Sequence, residues 1–322
     1  MKISVIIPVY NAGKYVSQAV QSALQFEEVS EILLIEDHSP DHSLKVCRVL
    51  AEKYDRVKLY QHGDKKNHGA GASRNLGIQI ASGDFIAFLD ADDYFLPNRF
   101  DAEKKLFKDP EVEGVYGALG VEYYSKSVKE KYYGVFEDKL TTVYKKHDPE
   151  DVFPGQLYLL GSFGLFSIDT LTVRREALMK KVDVLFKHHL RLHEDTEFLI
   201  RLSYYLKLHA GSIDEAVAIR GVHENNRITK VDTRIVDPAI SRSILWDEIQ
   251  RWSRTEKSIP ENVKIHIKRM HRSFEIAKAP PVKKWRMVLT YLIKDFTGIR
   301  SGLYNINFRN TLFDYRKYEG FP

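Results

Sequence analysis

Short apolar runs alternate with helix-like stretches through the first hundred residues. Runs of about four to eight apolar residues fit strands buried on both faces, and an apolar period near 3.6 fits helices. The pattern predicts strands over 3–9, 31–36, 57–61 and 84–90, separated by helices over 13–25, 43–54 and 71–82. Strands that alternate with helices predict βαβ units, and therefore an α/β fold with a mostly parallel central sheet.

The pattern changes after about residue 110. Residues 112–145 are rich in Val and Tyr with interspersed Gly, which predicts strands and hairpins beside the first unit. A helix is predicted over 194–208, because Leu199, Leu202 and Leu206 fall on one helical face.

Beyond Asp232 the apolar spacing is helical almost to the end of the chain. One stripe comprises Val263, Ile267, Met270 and Phe274, and a wider one comprises Trp285, Val288, Leu289, Leu292, Ile293 and Phe296. We therefore predict a first domain over 1–230, with halves that meet at 110/111, and a helical C-terminal extension over 231–322.

Charge and cysteine content narrow the class of protein. The 322 residues are 43% apolar with a net charge of +5. Residues 235–322 carry 17 Lys and Arg against 9 Asp and Glu, so 1–234 has a net charge of 5 − 8 = −3. With Cys47 as the single cysteine, no intramolecular disulfide can form. No apolar run reaches the roughly 18 residues of a spanning helix, and no signal peptide is recognisable, so a cytoplasmic protein is expected.

The run FIAFLDADD, residues 85–93, carries the most chemical information. An apolar strand ends there in Asp90, Asp92 and Asp93, at the edge where open α/β sheets bind ligands. Asp90 and Asp92 are two apart and project to the same side, and such oxygen ligands suit Mg²⁺ or Mn²⁺ on a diphosphate. The alternative is an acidic turn that caps a helix beginning near Pro97.

Two neighbouring strands also end in polar residues. Tyr10 and Asn11 follow the first strand, and Asp37 follows the second. An Asp at such a site can accept a hydrogen bond from a nucleobase imide, and Tyr10 can cover the ring. The alternatives are loop packing for Tyr10 and a cap ahead of Ser43 for Asp37.

A loop of small residues, 67–75, opens the third helix. It is neither a Walker loop, since no Gly-Lys-Ser/Thr follows, nor a dinucleotide fingerprint, since Arg74 replaces the third glycine. Its backbone amides can approach a nucleotide, with Arg74 offering a charged fork. An exposed helix arginine is the alternative.

Together these segments resemble the inverting glycosyltransferases of the GT-A fold, in particular their large family 2. The matching segments are PVYN, IEDHSPDHS, SRNLGI with ASGDFIAFLDADD, and HEDTEF, in the family's order and spacing. The resemblance covers about residues 1–225 and leaves out the tail. It implies a Rossmann-like nucleotide-binding half followed by an acceptor-side half.

The resemblance also implies a set of site residues. Those expected to bind the nucleotide sugar are Pro8, Tyr10, Asn11, Asp37, Asn67, Arg74, Asp90, Ala91 and Asp92. Asp92 and His223 are expected to hold Mg²⁺ or Mn²⁺, with Arg220 as a companion. The chain departs from the family at Glu36, where Asp is common, and at His38, where Gly is commonest.

Glu194 and Asp195 begin the predicted helix over 194–208. The resemblance implies that they are catalytic, with Asp195 as the general base that activates an acceptor hydroxyl. Two acids that favour the helix dipole are the alternative. A zinc-protease motif is excluded, because HExxH needs His where Glu197 stands. A looser similarity places Asp169, Thr170 and Arg174 on the acceptor side.

The sequence thus predicts a metal-dependent inverting glycosyltransferase of polysaccharide biosynthesis, using a UDP-sugar and a glycan or lipid-linked glycan acceptor. The alternatives are a sugar nucleotidyltransferase, which needs a glycine-rich loop after the first strand, and an inactive nucleotide-sugar-binding relative, which should lack an essential acid. A nucleic-acid binder is not expected, because residues 1–234 are net acidic. The basic tail is expected to pack or self-associate, or to contact a membrane surface peripherally.

Overall fold

A computed structural model of the chain describes residues 1–136, 140, 143, 145–161, 164–224, 226 and 238–295. It divides into two compact units, residues 1–223 and 224–322. The predicted domain boundary at 230/231 lies outside the described residues, as do Phe296 and parts of the segment 112–145.

The elements follow the predicted alternation of strands and helices. The strands are β1 Ile3–Val9, β2 Val29–Glu36, β3 Val57–Gln61, β4 Phe85–Phe88, β5 Tyr94–Phe95, β6 Gly114–Tyr116, β7 Ala118–Tyr123, β8 Leu171–Arg174, β9 Leu208–Ala210 and β10 Ala216–Val222. The helices of the first unit are α1 Val16–Leu24, α2 Ser43–Lys53, α3 Ala70–Ile80, α4 Asp101–Leu106, α5 Lys126–Phe136, α6 Pro149–Gln156, α7 Arg175–Lys181 and α8 Glu194–Tyr205. The second unit contains α9 Pro238–Thr255, α10 Glu261–Lys278 and α11 Pro281–Lys294.

A seven-stranded sheet in the order β3-β2-β1-β4-β8-β6-β9 forms the centre of the first unit. The strands β3, β2, β1 and β4 run parallel, while β8 runs antiparallel to both β4 and β6. Val9 lies opposite Glu36 in the register, so β1 and β2 end together. A smaller sheet has the order β5-β10-β7. The predicted mostly parallel sheet is confirmed.

The large sheet separates two apolar cores, as expected from the two-residue period of a strand. Odd-numbered side chains of β1 pack with α1 and α2, while Ile6, Leu33 and Ile35 pack with α3, α7 and α8. Pro8 near the end of β1, Asp37 directly after β2 and Asp90 just after β4 continue this second alternation. Two carboxylates at strand ends are thereby placed on the α3 and α8 side of the sheet.

The predicted strands and hairpins over residues 112–145 are only partly right. β6 and β7 exist, but they belong to different sheets and do not pair as a hairpin. The following stretch forms the helix α5, where strands were predicted. Its apolar contacts have helical spacing, because Val128 and Tyr132 lie one turn apart and both pack near Val222. High β-propensity of Val and Tyr was outweighed by this tertiary contact.

The helix expected near Pro97 begins four residues later, at Asp101. Residues 94–96 are extended, because β5 pairs with β10 and the Leu96 amide donates to the Val217 carbonyl at 3.0 Å, and turns over 97–100 lead from them into the helix. The carboxylates of residues 90–93 therefore do not cap this helix.

Candidate active site

The loop after β1 is tied to the loop after β2. The Asn11 amide donates to Ser39 Oγ at 3.1 Å, and the Ala12 amide donates to Ser43 Oγ at 2.9 Å. Tyr10 leaves half of its surface exposed, and Pro8 is partly buried. An exposed aromatic ring thus stands at the strand end where a nucleobase cover was predicted.

Asp37 organises the small-residue loop ahead of α3. Its buried carboxylate accepts hydrogen bonds from the His68 and Gly69 amides, both at 2.7 Å, and from Asn67 Nδ2 at 2.9 Å. The alternative that Asp37 caps α2 is wrong, since Asp41 accepts from the Ser43 amide at 3.0 Å. Asp37 and Asn67, both predicted to bind the nucleotide, are in direct contact.

The two departures from the family pattern have local explanations. The longer Glu36 side chain accepts from the Ser39 amide at 2.7 Å and from Gln61 Nε2 at 2.6 Å, so it fixes the turn and the neighbouring strand. His38 adopts the left-handed conformation, with φ of 57°, that glycine adopts without strain. The turn shape typical of glycine is therefore kept.

Asp90 lies at the end of β4 and makes three contacts. Its Oδ1 accepts from Arg74 Nη2 at 2.6 Å, its amide donates to Asp169 Oδ1 at 2.7 Å, and its carbonyl accepts from the Asp93 amide at 3.1 Å. Ala91, which was also predicted to bind the nucleotide sugar, is buried. The Asp90 carboxylate is one third exposed and can still meet a ligand.

Arg74 is almost fully buried, so the alternative of an exposed helix arginine is wrong. Its guanidinium lies between Asp90 and the start of α8, with Nη1 at 3.8 Å from Glu194 Oε1. Burial lowers the pKa of Arg74, but the carboxylates of Asp90, Glu194 and Asp195 outweigh burial and raise it. Nε and Nη1 have no hydrogen-bond acceptor among the described residues. Arg74 thus joins two acidic elements about a hundred residues apart in sequence.

Asp92 and His223, the predicted metal ligands, are neighbours in space. Asp92 Oδ2 lies 3.1 Å from His223 Nε2. The Tyr15 ring stacks on the imidazole at a centroid distance of 4.1 Å, and Tyr124 donates from its hydroxyl to the Asp92 carbonyl at 3.2 Å. Sequence reasoning missed both tyrosines, because nothing in their local sequence shows that they meet His223.

Gly221 allows β10 to approach the acidic loop this closely. A Cβ atom at this position would lie 2.3 Å from the Asp92 carbonyl oxygen. The Gly221 amide donates to Asp93 Oδ1 at 2.9 Å. His223 is thereby carried to Asp92 by a strand whose backbone touches the loop.

Asp93 closes the turn over 90–93 through the hydrogen bond from its amide to the Asp90 carbonyl, and its side chain is buried, as is that of Asp169. Burial and the nearby Asp169, Asp92 and Asp90 raise the pKa of Asp93 well above its usual range. Burial and Asp90 likewise raise the pKa of Asp169 to about 6. Oxygens of Asp90, Asp93 and Asp169 lie within 4.8 Å of one another, a second arrangement that can hold a cation.

Of the residues in the looser acceptor-side similarity, Asp169 contacts Asp90, whereas Arg174 lies away from this site. Its guanidinium stacks on Phe85 and Phe107, and it donates to the backbone carbonyl of Val112. Phe85 opens β4, so Arg174 is at the opposite end of the strand from Asp90. Arg220 instead lies near the site, where its charge partly offsets the rise in the pKa values of Asp93 and Asp169.

The helix α8 brings Glu194 and Asp195 to the site. Glu194 is buried, whereas Asp195 is partly exposed and accepts from the Thr196 amide at 2.7 Å. Leu199 and Leu202 are buried, as the apolar stripe predicted. Glu197, which excluded a zinc-protease motif, is buried in a two-pronged ion pair with Arg201.

The segment before α8 is locked to α3. Asn75 Nδ2 donates to the Phe186 carbonyl at 2.8 Å, and its Oδ1 accepts from the Phe186 amide at 2.9 Å. Phe186 in turn stacks on Phe198 of α8, with centroids 4.0 Å apart. The position of Asp195 relative to Arg74 is therefore fixed by packing between two helices.

The residues present fit a divalent cation. Octahedral Mg²⁺ or Mn²⁺ has ligand bonds of roughly 2.1 Å, which puts adjacent ligand atoms about 3 Å apart. The separation of 3.1 Å between the Asp92 and His223 atoms matches this spacing. Carboxylate and imidazole are also suitable ligand types for such a metal.

Known proteins that are similar to this chain are glycosyltransferases. The family model "Glycosyl transferase family 2" matches residues 4–170. An uncharacterized glycosyltransferase of Haemophilus influenzae is 39% identical over 102 residues, which are 31% of this chain and 40% of that protein. The chain thus spans less than half the length of this curated relative.

Two solved structures share the fold over nearly the whole chain. Staphylococcus aureus TarS 1–349 in complex with UDP-GlcNAc has a TM-score of 0.57 at 19% identity and covers 98% of this chain and 92% of that one. The mannosyltransferase PcManGT of Pyrobaculum calidifontis, in complex with GDP-Man and Mn²⁺, has a TM-score of 0.53 at 14% identity and covers 97% and 83%. The chain has the GT-A fold and belongs to glycosyl transferase family 2.

Proposed function

We propose that the protein is a metal-dependent glycosyltransferase that moves a sugar, with inversion, from a nucleotide-sugar donor to a hydroxyl group of a glycan or lipid-linked glycan. One observation carries this proposal. Buried Arg74 contacts Asp90 of the loop over residues 90–93, here called the donor loop, and lies beside Glu194 at the start of α8. The donor loop and the candidate base therefore form one site, as a transfer reaction requires.

The donor binds at the ends of β1, β2 and β4. Tyr10 covers the nucleobase, the loop that Asp37 and Asn67 organise follows the nucleoside, and Asp90 faces the sugar. UDP is the proposed nucleotide, which is supported by the UDP-GlcNAc complex of TarS. PcManGT, with GDP-Man, shows that the fold also accepts a guanine nucleotide, so UDP is the choice to test first.

Asp92 and His223 would hold Mg²⁺ or Mn²⁺ in this proposal. When bound, the cation neutralises the charge on the departing diphosphate. Tyr15 keeps the His223 ring in place by stacking, and Gly221 lets the strand carry His223 to Asp92. The Mn²⁺ complex of PcManGT supports the choice of metal class.

Asp195 is the proposed general base. It takes the proton of the acceptor hydroxyl while that oxygen bonds to the anomeric carbon, and the bond from this carbon to the diphosphate breaks on the opposite face. The configuration is thereby inverted. A negative charge is favoured at the amino end of α8. Glu194 is buried against Arg74 and positions the start of the helix, so Asp195 is the carboxylate available to the acceptor.

A thermal-shift experiment with two variants tests the proposal. The wild-type protein should be stabilised by UDP with Mn²⁺ by about 2.7 kcal/mol when the ligand is at a hundred times its Kd. Asp92→Ala should lose this stabilisation together with transfer. Asp195→Asn should keep the stabilisation and lose transfer, because it removes the base without touching the metal ligands.

Asp214→Asn provides the matched control for both variants, since Asp214 is an exposed residue between β9 and β10. It should resemble the wild type in both measurements. Absence of stabilisation by UDP and GDP species with metal would refute the donor site. Near-normal turnover of Asp195→Asn would refute the assignment of the base.

A further inference from the structure

The second unit has an exposed apolar stripe on α11. It comprises Val282, Trp285, Leu289 and Ile293, whose side chains are between 55% and 86% exposed. Their spacing of three or four residues puts them on one face of the helix. The opposite side of α11 is packed, because Val288 is buried against Ile276 of α10. The predicted apolar helix of the tail thus packs against α10 on one side and exposes its apolar stripe on another.

Positive charge accompanies this stripe. The helix over 281–294 contains four basic residues and no acidic one: Lys283, Lys284, Arg286 and Lys294. An α-helix turns by about 100° per residue, so Lys283, Arg286 and Lys294 all project on the same side of the stripe. Asp295, the next acid along the chain, is paired with Arg269 and Arg272 of α10 and does not offset this charge.

We propose that the stripe is a membrane-binding face, with the apolar residues in the interface of an anionic bilayer and the basic side chains at its headgroups. An amphipathic helix with Trp and aliphatic residues on one face and Lys and Arg beside them has the composition of interfacial helices. Among the described residues, none of the helices has the length and apolar character needed to cross a bilayer. The proposed contact is made by α11 lying in the interface.

Charge disfavours two other occupants of the stripe. In a symmetric dimer through α11, each copy would present the same basic residues to the other, and like charges repel. The segment 296–322 carries four basic and two acidic residues, so it has no net negative charge to offer α11. An anionic lipid surface complements both the apolar and the basic parts of the face.

Trp285 provides a selective reporter for the test. The chain has three tryptophans, and the other two, Trp246 and Trp252, are buried. Addition of vesicles with about 30% phosphatidylglycerol in phosphatidylcholine should shift the Trp285 emission to the blue and protect it from acrylamide. Vesicles of phosphatidylcholine alone should have little effect, and high salt should reverse the shift.

Matched variants of the full chain separate the two parts of the face. Leu289→Gln should weaken co-sedimentation with the anionic vesicles by about tenfold, given the apolar area removed from the interface. Each of Lys283→Gln and Arg286→Gln should weaken it by about fivefold. Ile244→Gln, at an exposed aliphatic residue of α9, should bind as the wild type does.

Three results would overturn the proposal. The first is equal binding to neutral and anionic vesicles, or none. The second is a Trp285 emission that is already blue and shielded without lipid, which would mean that the chain itself or a second copy covers the stripe; light scattering would distinguish these. The third is binding by purified Leu289→Gln equal to that by Ile244→Gln, which would move the contact elsewhere. The inference is independent of the proposed transfer reaction.

Discussion

At the scale of single residues, Arg74 connects Asp90 after β4 with Glu194 at the start of α8. Asp92 and His223 were assigned to one metal, and they lie 3.1 Å apart. Arg74 was expected to reach the nucleotide, whereas its guanidinium is buried against Asp90 and Glu194. An arginine can be buried when carboxylates from distant segments approach it. The sequence pattern does not show which segments come that close.

The buried position of Arg74 predicts a large cost of its removal. Arg74→Met would leave Asp90 and buried Glu194 without this cation. The free energy of unfolding, measured by urea titration, should therefore fall by about 3–5 kcal/mol. Arg48→Met, at an exposed position of α2, should change the free energy by no more than about 0.5 kcal/mol. Equal stability of the two variants would contradict the central place given to Arg74.

His38 predicts a gain in stability on substitution. Its φ of 57° costs a side-chain-bearing residue about 1–2 kcal/mol, whereas glycine has no such penalty but loses about 0.5–1 kcal/mol through its freer unfolded chain. His38→Gly should therefore raise the free energy of unfolding by up to about 1 kcal/mol in urea titrations. A loss of stability would mean that the exposed imidazole makes a compensating contact in solution.

At the scale of elements, the long periodic segments of the first hundred residues were predicted well, and the region after them was not. β1, β2 and β4 are mostly apolar, and their pattern follows from burial on both faces, whereas β3 at the edge of the sheet is only partly buried. The helix α5 was predicted as strands, because its Val and Tyr residues favour strands until Val222 provides a partner surface. The burial of Asp169 beneath Asp90 likewise depends on β8 pairing with β4.

Glu31 joins three elements and makes their packing dependent on pH. It accepts from Ser4 Oγ of β1 at 2.6 Å, from the Ser82 amide at 2.7 Å and from Lys58 Nζ of β3 at 2.8 Å. Burial raises the pKa of Glu31, but these hydrogen bonds outweigh burial and lower it from 4.5 to about 2. The carboxylate thus binds its proton less readily in the folded protein than in the unfolded chain.

A lowered pKa contributes stability that is present above the unfolded value of 4.5 and is lost as the pH falls towards about 2. At pH 7 the wild type should exceed Glu31→Gln in free energy of unfolding by roughly 3 kcal/mol. This difference should shrink progressively below about pH 4.5. Glu52→Gln, at an exposed residue of α2, serves as the control and should show a much smaller difference. A difference for Glu31→Gln that is constant from pH 7 to pH 3 would contradict the assignment.

At the scale of the whole molecule, the sequence and the structure agree on the class of fold. They also agree that the candidate site and the basic surplus lie in different parts of the chain. Residues 1–223 contain the sheet, the acidic residues of the candidate site and the helix α8 with the proposed base, while the helices after them carry the basic surplus. The family model covers residues 4–170, which include the donor loop but not α8 or His223. The proposed chemistry therefore depends on residues beyond the segment that defines the family.

The anomeric configuration of the first sugar released tests the account most directly. Slow hydrolysis of an α-linked UDP-sugar, followed by proton NMR before the sugar mutarotates, reports the face from which the anomeric carbon is attacked. If Asp195 acts on the face opposite the diphosphate, the β-anomer is released, and only when Mn²⁺ or Mg²⁺ is present. The variant Asp195→Asn should release none of it while still binding UDP. Formation of the α-anomer, or undiminished release by Asp195→Asn, would contradict the account.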